Sequence, residues 1–424
     1  MIALPFIYFG LWFFIEYRKR GLDIYTFIIL LYTIISLLSI IIDQFDLYYD
    51  SCPKMPTLGL LAPVVYILLL TICIQPFSKF KSNSIEKIIG NISEKRFNYI
   101  VIAYFIIFLV VFLVSLTRIQ EILTSNALAE IRDEQYQGEN TLFYQHLSGI
   151  PRYICAICYV LSPSSYIMIL FFYVGITHFN KGILYSLMSL CGSFTMLLIA
   201  INMVDRSNFA YWALTFIMCY VLFRNRFTTK TKRYFYLFSI ILAAVMVAYL
   251  AVVTISRFGD IDGGSSHGVI TYMGMSYINF CNFFNYLVFN VPHKPEILFL
   301  PNINEYVLHG PSYFQFMEYL SNYYHHNLST FSTFLGFIMS VSGFGVTVVF
   351  CVVYWAIATL FIRRPRVEYI TLKKLILFWI VVLVPVLGLL CYYYRSATVN
   401  MNILIWWIMG CYLTTPLKKR TTAT

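Results

Sequence analysis

The sequence contains few charged residues for its length. Of its 424 residues, 12% are Asp, Glu, Lys or Arg and 60% are hydrophobic, and the mean hydropathy is +0.74. Soluble domains carry about 25% charged residues, so this shortage excludes a soluble globular protein. The sequence therefore predicts an integral membrane protein. Its 35 Tyr and 38 Phe fit that class, because aromatic side chains collect at bilayer interfaces.

The sequence predicts neither a disulfide framework nor a cleavable leader. Nine of the ten cysteines lie in or beside apolar segments, which excludes a disulfide-stapled secreted domain. Cys155 and Cys158 have the spacing of a metal clip, but they lie in an apolar run without a second pair, so we interpret them as helix-packing residues. Met1 leads directly into apolar sequence, and no cleavable signal peptide is predicted.

Apolar windows of membrane-crossing length predict an all-α polytopic membrane protein with about 11 transmembrane helices, within a range of about 10–12. We find no internal repeat and no soluble domain, so residues 1–424 are predicted to form a single integral membrane domain. The windows lie near residues 2–15, 24–42, 58–75, 99–117, 152–177, 183–202, 208–223, 234–255, 332–361, 375–393 and 401–415.

Two segments outside these windows are long, namely 118–151 and 256–330. The second exceeds what a connection needs, and loops beyond about 15 residues are usually functional. Within it, the apolar stretch 269–291 carries Asn279, Asn282 and Asn285 at three-residue spacing, which predicts an outer-surface or re-entrant helix. Later in the same segment, "PSYFQFMEYLSNYYHHN" has apolar residues at near-helical spacing, which predicts a short helix on the membrane surface.

The distribution of basic residues predicts the orientation. Loops 16–23, 76–98, 178–182, 224–233, 362–374 and 416–424 hold 22 of the 30 Lys and Arg but only five of the 19 acids. By the positive-inside rule these loops are cytoplasmic, which requires an odd number of crossings with the N-terminus outside and the C-terminus inside. The excess of basic over acidic residues is therefore explained by topology and by contact with anionic lipid, and no nucleic-acid partner is predicted.

Ionisable residues are absent from the centres of the predicted crossings. None of the eleven windows carries Asp, Glu or His near its middle. Ion-coupled and proton-coupled carriers usually keep such a group at the membrane midplane. The sequence therefore argues against a coupled transporter and favours chemistry at the outer rim, on a lipid-borne substrate.

The outer cations are mostly arginine. Asp205 and Arg206 lie in a minimal turn between two crossings; either they bind substrate, or they are a turn-forming acid and an arginine reaching the interface. A guanidinium binds phosphate bidentately and tolerates desolvation better than ammonium. We therefore predict that several outer arginines bind one diphosphate, with Asp205 in support. The predicted diphosphate-binding residues are Arg206, Arg257, Arg152, Arg118 and Arg395.

Other polar features of the outer half carry weaker predictions. His325 and His326 precede the re-entry of the chain into the membrane and are candidates for the catalytic base. The alternative is that they are interfacial polar residues without a catalytic role. Asp260 and Asp262 have a spacing that can hold a divalent metal, but solvated loop acids are the commoner explanation. "VLSPSSY" (160–166) predicts a kink or a groove lining. "SVSGFGV" (340–346) predicts close helix packing at its two glycines.

Three stretches resemble the Wzy-type oligosaccharide repeat-unit polymerases of bacterial O-antigen and capsule. They are the turn "DRSNFAYW", the helix end "VVTISRFGD" that opens the large loop, and the loop exit "NLSTFSTFLGFIMSVSGFGVTVVF". Arg257 and Gly268 also bracket ten residues, like an Arg-x10-Gly pattern in some members. Many relatives have an acid before the glycine pair, where this chain has Ser342, so no catalytic acid is carried over.

The resemblance implies a glycosyltransferase of the bacterial inner membrane that joins undecaprenyl-diphosphate-linked oligosaccharides on its outer face. No cofactor is expected and no divalent metal is required, because the glycosyl diphosphate already supplies the energy. The implied partners are the lipid-linked oligosaccharide, membrane lipids and a chain-length regulator protein. Two alternatives stay open: an O-antigen ligase that transfers polymer to lipid A core, and a lipid-linked oligosaccharide flippase or other transporter.

Overall fold

The computed structural model describes residues 1–48, 60–80, 87–90, 92–124, 144, 147–203, 205, 207–229, 232–233, 235–236, 239–240, 242, 264–286, 293–324, 331–362 and 369–415. These residues form an all-α protein with one very small sheet. The helices are α1 (Leu4–Arg20), α2 (Ile24–Phe45), α3 (Leu61–Ile74), α4 (Glu94–Thr124), α5 (Gly149–Leu161), α6 (Ile167–Thr177), α7 (Ile183–Ser193), α8 (Thr195–Asn202), α9 (Ser207–Phe223), α10 (Gly264–Tyr286), α11 (Glu296–Phe299), α12 (Pro301–Tyr306), α13 (Tyr313–Tyr324), α14 (Phe334–Ile362), α15 (Leu372–Leu387) and α16 (Ala397–Thr414).

Within the described part of the chain, six helical segments are long and apolar enough to cross a membrane. This confirms the prediction of an all-α membrane protein, whereas the prediction of eleven crossings stays a prediction. The segments correspond to six of the windows found in the sequence. They are Ile24–Phe45, Leu61–Lys79, Glu94–Leu116, Gly149–Thr177, Leu184–Asn202 and Phe334–Ile362.

Loops that the charge pattern assigns to one side of the membrane meet at one end of the bundle. Strands β1 (Lys87–Ile89) and β2 (Tyr369–Thr371) pair in parallel there, which the sequence did not predict. Lys181 donates to Glu94 across the same end, and Arg96 donates to the carbonyls of Tyr412 and Thr415 at 2.7 and 2.8 Å. We call this region the sheet end. Residues 416–424 lie outside the described residues.

The helix α10 lies inside the bundle. Its described side chains from Gly274 to Cys281 are buried, and Asn279 donates to the carbonyl of Phe331 at 2.7 Å. Of the two alternatives predicted for 269–291, the outer-surface helix is therefore wrong, and the re-entrant helix stays a prediction. The three-residue spacing of the asparagines is typical of a solvated helix face, but buried amides that bond to neighbouring backbone carbonyls can have the same spacing.

The interruption predicted at "VLSPSSY" is present. Helix α5 ends at Leu161, a 3-10 turn covers Ser162–Tyr166, and α6 continues from Ile167. Pro163 supplies no N–H to the helical ladder, and the hydroxyl groups of Ser162 and Ser164 donate to carbonyls three residues earlier. The turn is fully buried, so the bend shapes the interior of the bundle.

Segment 293–324 contains the short helices α11, α12 and α13. In α13, Tyr313, Phe316, Met317 and Leu320 are buried, which is the helical spacing read from the sequence. These side chains pack the helix against the bundle, with the Tyr313 ring 5.3 Å from that of Phe337. The surface helix predicted here is therefore a helix packed across the end of α14.

Candidate functional site

A cavity of about 190 Å³ lies at the opposite end of the bundle from the sheet. It is built from turns: the one between α8 and α9, the one between α15 and α16, and the bend between α5 and α6. Helices α9, α15 and α16 run from these turns to the sheet end, where β2 precedes α15 and Arg96 donates to carbonyls at the end of α16. The cavity is lined by Tyr159, Ser162, Pro163, Met196, Ile199, Met203, Asp205, Ser207, Asn208, Tyr211, Cys391, Tyr393, Arg395, Ser396, Thr398 and Val399.

Asp205 forms the turn that joins α8 to α9. Its carboxylate accepts the backbone N–H of Ser207 at 2.8 Å, the Ser207 hydroxyl at 2.8 and 2.9 Å, and the amide of Asn208 at 2.8 Å. This is the self-bonded turn that short acidic side chains favour, and it places an anion at the N-terminus of α9. Of the two interpretations open from the sequence, the structure supports the turn-forming role for Asp205.

Arg395 enters the cavity from the turn between α15 and α16. Its guanidinium carbon lies 5.0 Å from the ring centre of Phe337 and 5.3 Å from that of Tyr313. Burial alone lowers the pKa of Arg395, but the thiol, phenol and carboxyl groups around it outweigh burial and raise that pKa. The guanidinium is therefore held by aromatic rings and carries its positive charge.

Helix α16 begins at the wall of this cavity. Its N-cap residue, Ser396, makes no side-chain capping hydrogen bond, and Thr398 and Val399 in its first turn line the cavity. The first amides of a helix and the positive end of its dipole favour anions. Arg395 and the start of α16 thus place two sources of positive potential on one wall.

The remaining lining is rich in hydroxyl groups. Tyr159, Ser162, Ser207, Tyr211 and Thr398 line it with their side chains, and the Tyr211 hydroxyl contacts the Cys391 thiol. Hydroxyl and amide groups donate to and accept from sugar hydroxyls and phosphate oxygens alike. The cavity has the chemistry of a site for a polar, anionic ligand.

Arg152 lies on the same face of α5 as the cavity residue Tyr159. Seven residues, or about 10 Å, separate them along the helix, and Arg152 itself is exposed. The Tyr144 ring lies 6.0 Å from that of Tyr159. Burial raises the pKa of Tyr144 and Arg152 opposes that rise, so the two residues are close. Arg152 therefore lies along the approach to the cavity rather than in its lining.

Of the predicted site residues, the structure brings Arg395 and Asp205 into one cavity. Arg118 lies in α4, but its side chain is not among those described. The convergence of five guanidinium groups stays a prediction. The predicted residues outside the described part of the chain are Arg206, Arg257, His325, His326, Asp260 and Asp262.

A break in α14 was not predicted. Gly343 has φ +80°, and the Val341 carbonyl beside the break accepts the Lys294 backbone N–H at 2.8 Å. A Cβ on Gly343 would lie 2.7 Å from the His293 imidazole, whereas a Cβ on Gly345 would meet no described atom within 4 Å. Close helix packing is therefore wrong for Gly345, and Gly343 serves the break. The sequence "SGFG" at 342–345, with two glycines inside an apolar helix, was the signal for this break.

His293 covers this break and was not among the residues singled out from the sequence. Its chain neighbour Lys294 lies 5.9 Å from the ring centre of Phe316 in α13. The hydroxyl of Thr347 donates to the Gly343 carbonyl at 2.8 Å, which satisfies an acceptor that the break exposes. The break thus joins segment 293–324 to the bundle near the aromatic support of Arg395.

The chain matches no protein-family model, no curated protein and no solved structure.

Proposed function

We propose that the protein is a membrane glycosyltransferase that joins undecaprenyl-diphosphate-linked oligosaccharide repeat units into O-antigen or capsular polysaccharide. The observation that carries this proposal is the Arg395 guanidinium, supported by the Phe337 and Tyr313 rings, in a hydroxyl-lined cavity at the end of the bundle away from the basic sheet end. A half-buried cation beside a helix N-terminus suits a diphosphate, and the surrounding hydroxyls suit sugars.

In the proposed reaction, a hydroxyl of the acceptor glycan attacks the anomeric carbon of the donor glycan. The bond from that carbon to the diphosphate oxygen breaks, and the lipid diphosphate leaves with the electron pair. Arg395 and the first turn of α16 stabilise the negative charge that grows on the diphosphate. The proton of the attacking hydroxyl passes to a weak base, for which His325 and His326 are our candidates.

The other predicted residues extend the same site. Arg206 follows Asp205 directly in the chain, and Arg152 lies on the cavity face of α5 about 10 Å away. We include Arg257 and Arg118 as further ligands of the diphosphate. No nucleotide, metal or other cofactor is part of the proposed reaction.

The positive-inside pattern gives the proposed location. It favours a cytoplasmic sheet end and an outer cavity end, with the N-terminus outside and the C-terminus inside. The resemblance to the polymerases implies that the membrane is a bacterial inner membrane. The proposed partners are the lipid-linked oligosaccharide, membrane lipids and a chain-length regulator protein.

The test is the length distribution of the polysaccharide made by cells that carry Arg395→Gln. We expect single repeat units to accumulate on the carrier and polymer formation to fall by about 10²–10³-fold, the usual effect of losing one donor to a developing oxyanion. Arg395→Lys keeps the charge but loses the planar fork and the ring stacking, so we expect a partial loss.

Arg18→Gln is the matched control, because Arg18 lies at the sheet end over the Phe14 ring at 4.3 Å. We expect it to make chains of normal length. Normal chain length in a stably inserted Arg395→Gln protein would sink the proposal. Full-length polymer that stays on the carrier and fails to reach lipid A core would instead indicate an O-antigen ligase.

A further inference from the structure

The carboxylates at the sheet end already have basic partners. Among the described residues there, Asp23 pairs with Arg20 at 2.7 Å, Glu16 pairs with Lys19 at 2.9 Å, and Glu94 pairs with Lys181. Each acid therefore has a specific structural use. The described basic residues of this end outnumber these acids, so part of its positive charge is balanced from outside this part of the chain.

Arg224 lies where α9 and α1 both end. It opens a 3-10 turn, Arg224–Arg226, directly after α9. One of its terminal nitrogens lies 4.0 Å from the point that a Cβ on Gly21 would occupy, and Gly21 ends α1 with φ +68°. The Nε atom of Arg224 is buried and has no hydrogen-bond partner among the described residues. A buried guanidinium donor of this kind costs free energy unless an acceptor reaches it.

Two further cationic groups lie close to this turn. Burial lowers the pKa of Arg226 to about 10. The pKa of His178 is also lowered, first by burial and then by the charge of Arg226. Arg226 is therefore close enough to His178 to disfavour protonation of its imidazole, in surroundings with reduced access to water. Such a place favours an anion.

The position of Arg224 on α9 indicates where that anion comes from. Ile217 is exposed and lies seven residues earlier, so it shares a face of the helix with Arg224 about 10 Å away. Exposed apolar residues on this membrane bundle face lipid. The exposed Ile217 side chain and the guanidinium therefore lie along one side of α9, in the same order as the acyl chains and the phosphate of a phospholipid.

We infer that Arg224 binds the headgroup phosphate of an anionic phospholipid at the sheet end, with its acyl chains along the side of α9 that carries Ile217. The planar guanidinium presents paired donors to two phosphate oxygens, and the lipid phosphate supplies the missing acceptor. Basic pockets between transmembrane helices on the cytoplasmic side are suited to such headgroups. This site is separate from the cavity of Arg395 and does not depend on the proposed reaction.

The experiment measures binding of phosphatidylglycerol to the purified full-length protein in detergent by native mass spectrometry, with phosphatidylcholine as the zwitterionic comparison. We expect preferential binding of phosphatidylglycerol by the wild type. Arg224→Gln should weaken that binding by about tenfold, the equivalent of one lost charge-assisted pair. Arg18→Gln removes the same charge at the same end and should bind phosphatidylglycerol like the wild type.

Four outcomes would overturn the inference. These are equal binding of both lipids by the wild type, unchanged binding by Arg224→Gln, an equal loss in Arg18→Gln, and full competition by millimolar inorganic phosphate, which would indicate a free-anion site. If Arg224→Gln does not fold, Arg224→Lys takes its place. It keeps the charge and the aliphatic stem but loses the fork, so we expect an intermediate loss of phosphatidylglycerol affinity, and none would overturn the inference.

Discussion

The two ends of the bundle hold arginine in different ways. At the sheet end, Arg20 pairs with Asp23 at 2.7 Å and donates to the carbonyls of Ser78 and Phe80 at 2.9 and 3.2 Å. At the cavity end, Arg395 lies near the Phe337 and Tyr313 rings. The bonds of Arg20 engage N–H donors of its guanidinium, whereas aromatic rings such as those near Arg395 contact the flat faces of a guanidinium.

This difference separates a structural role from a binding role. A guanidinium whose donors end on the protein ties segments together, as Arg20 ties α1 to the chain after α3. Arg395 lies among aromatic rings in the wall of a cavity, where a planar guanidinium is suited to binding phosphate. We therefore expect substitutions at the sheet end to lower stability and those at the cavity end to lower activity.

The largest expected effect tests the structural half of this comparison. Arg20→Ala leaves the buried Asp23 carboxylate without its partner, which costs about 3–5 kcal/mol in the free energy of unfolding. Burial already raises the pKa of Asp23, and Arg20 opposes that rise. Without Arg20 the folded protein binds the Asp23 proton more tightly than the unfolded chain does. Stability of the variant should therefore fall as the pH rises from about 4, the ordinary pKa of Asp, toward neutral.

Denaturant unfolding of the purified protein, followed by circular dichroism at both ends of this pH range, measures this loss. Arg18→Ala is the control, because Arg18 is exposed at the same end, and it should change stability by less than about 0.5 kcal/mol. If the Arg20→Ala protein were as stable as Arg18→Ala, Arg20 would have no structural role at the sheet end, and the comparison of the two ends would fail.

The sequence predicted the membrane class and the grouping of the basic loops at one end, because both are sums over many residues. It did not predict the roles of single residues, which depend on neighbours distant in the chain. Asn279 was assigned to an outer-surface or re-entrant helix, because its hydrogen bond to the Phe331 carbonyl is a tertiary contact that a local sequence pattern does not reveal. Gly345 was assigned to packing, and His293 was missed, because only the fold shows which glycine a side chain covers.

The same limits apply to the site. The preference for arginine among the residues assigned to the outer side drew attention to Arg395, which lines the cavity. The cavity residues Tyr211 and Ser396 carried no signal, since a tyrosine or serine at a helix end is common in any membrane protein. The strands β1 and β2 are three residues each, too short to produce a periodic pattern.

An intermediate effect tests the break in α14 on the cavity side. Gly343→Ala places a Cβ 2.7 Å from the His293 imidazole at a φ of +80°, and should cost about 1–3 kcal/mol. Gly345→Ala, two residues later in the helical part, meets open space and should gain up to about 1 kcal/mol from reduced backbone entropy. Thermal denaturation of both variants measures the difference. Equal shifts would mean that Gly343 is an ordinary helical glycine.

The smallest expected effect separates charge from geometry at Asp205. Asp205→Ala removes the acceptor of the Ser207 N–H and should cost about 1 kcal/mol, the usual loss for a helix-capping side chain. Asp205→Asn keeps one acceptor oxygen for that N–H and should cost less. Because its carboxylate oxygens already accept from Ser207 and Asn208, we expect Asp205→Asn to make polymer of normal length. Short chains from a stable Asp205→Asn protein would mean that this carboxylate also acts on substrate, so the cavity end would bind through opposite charges rather than through arginine alone.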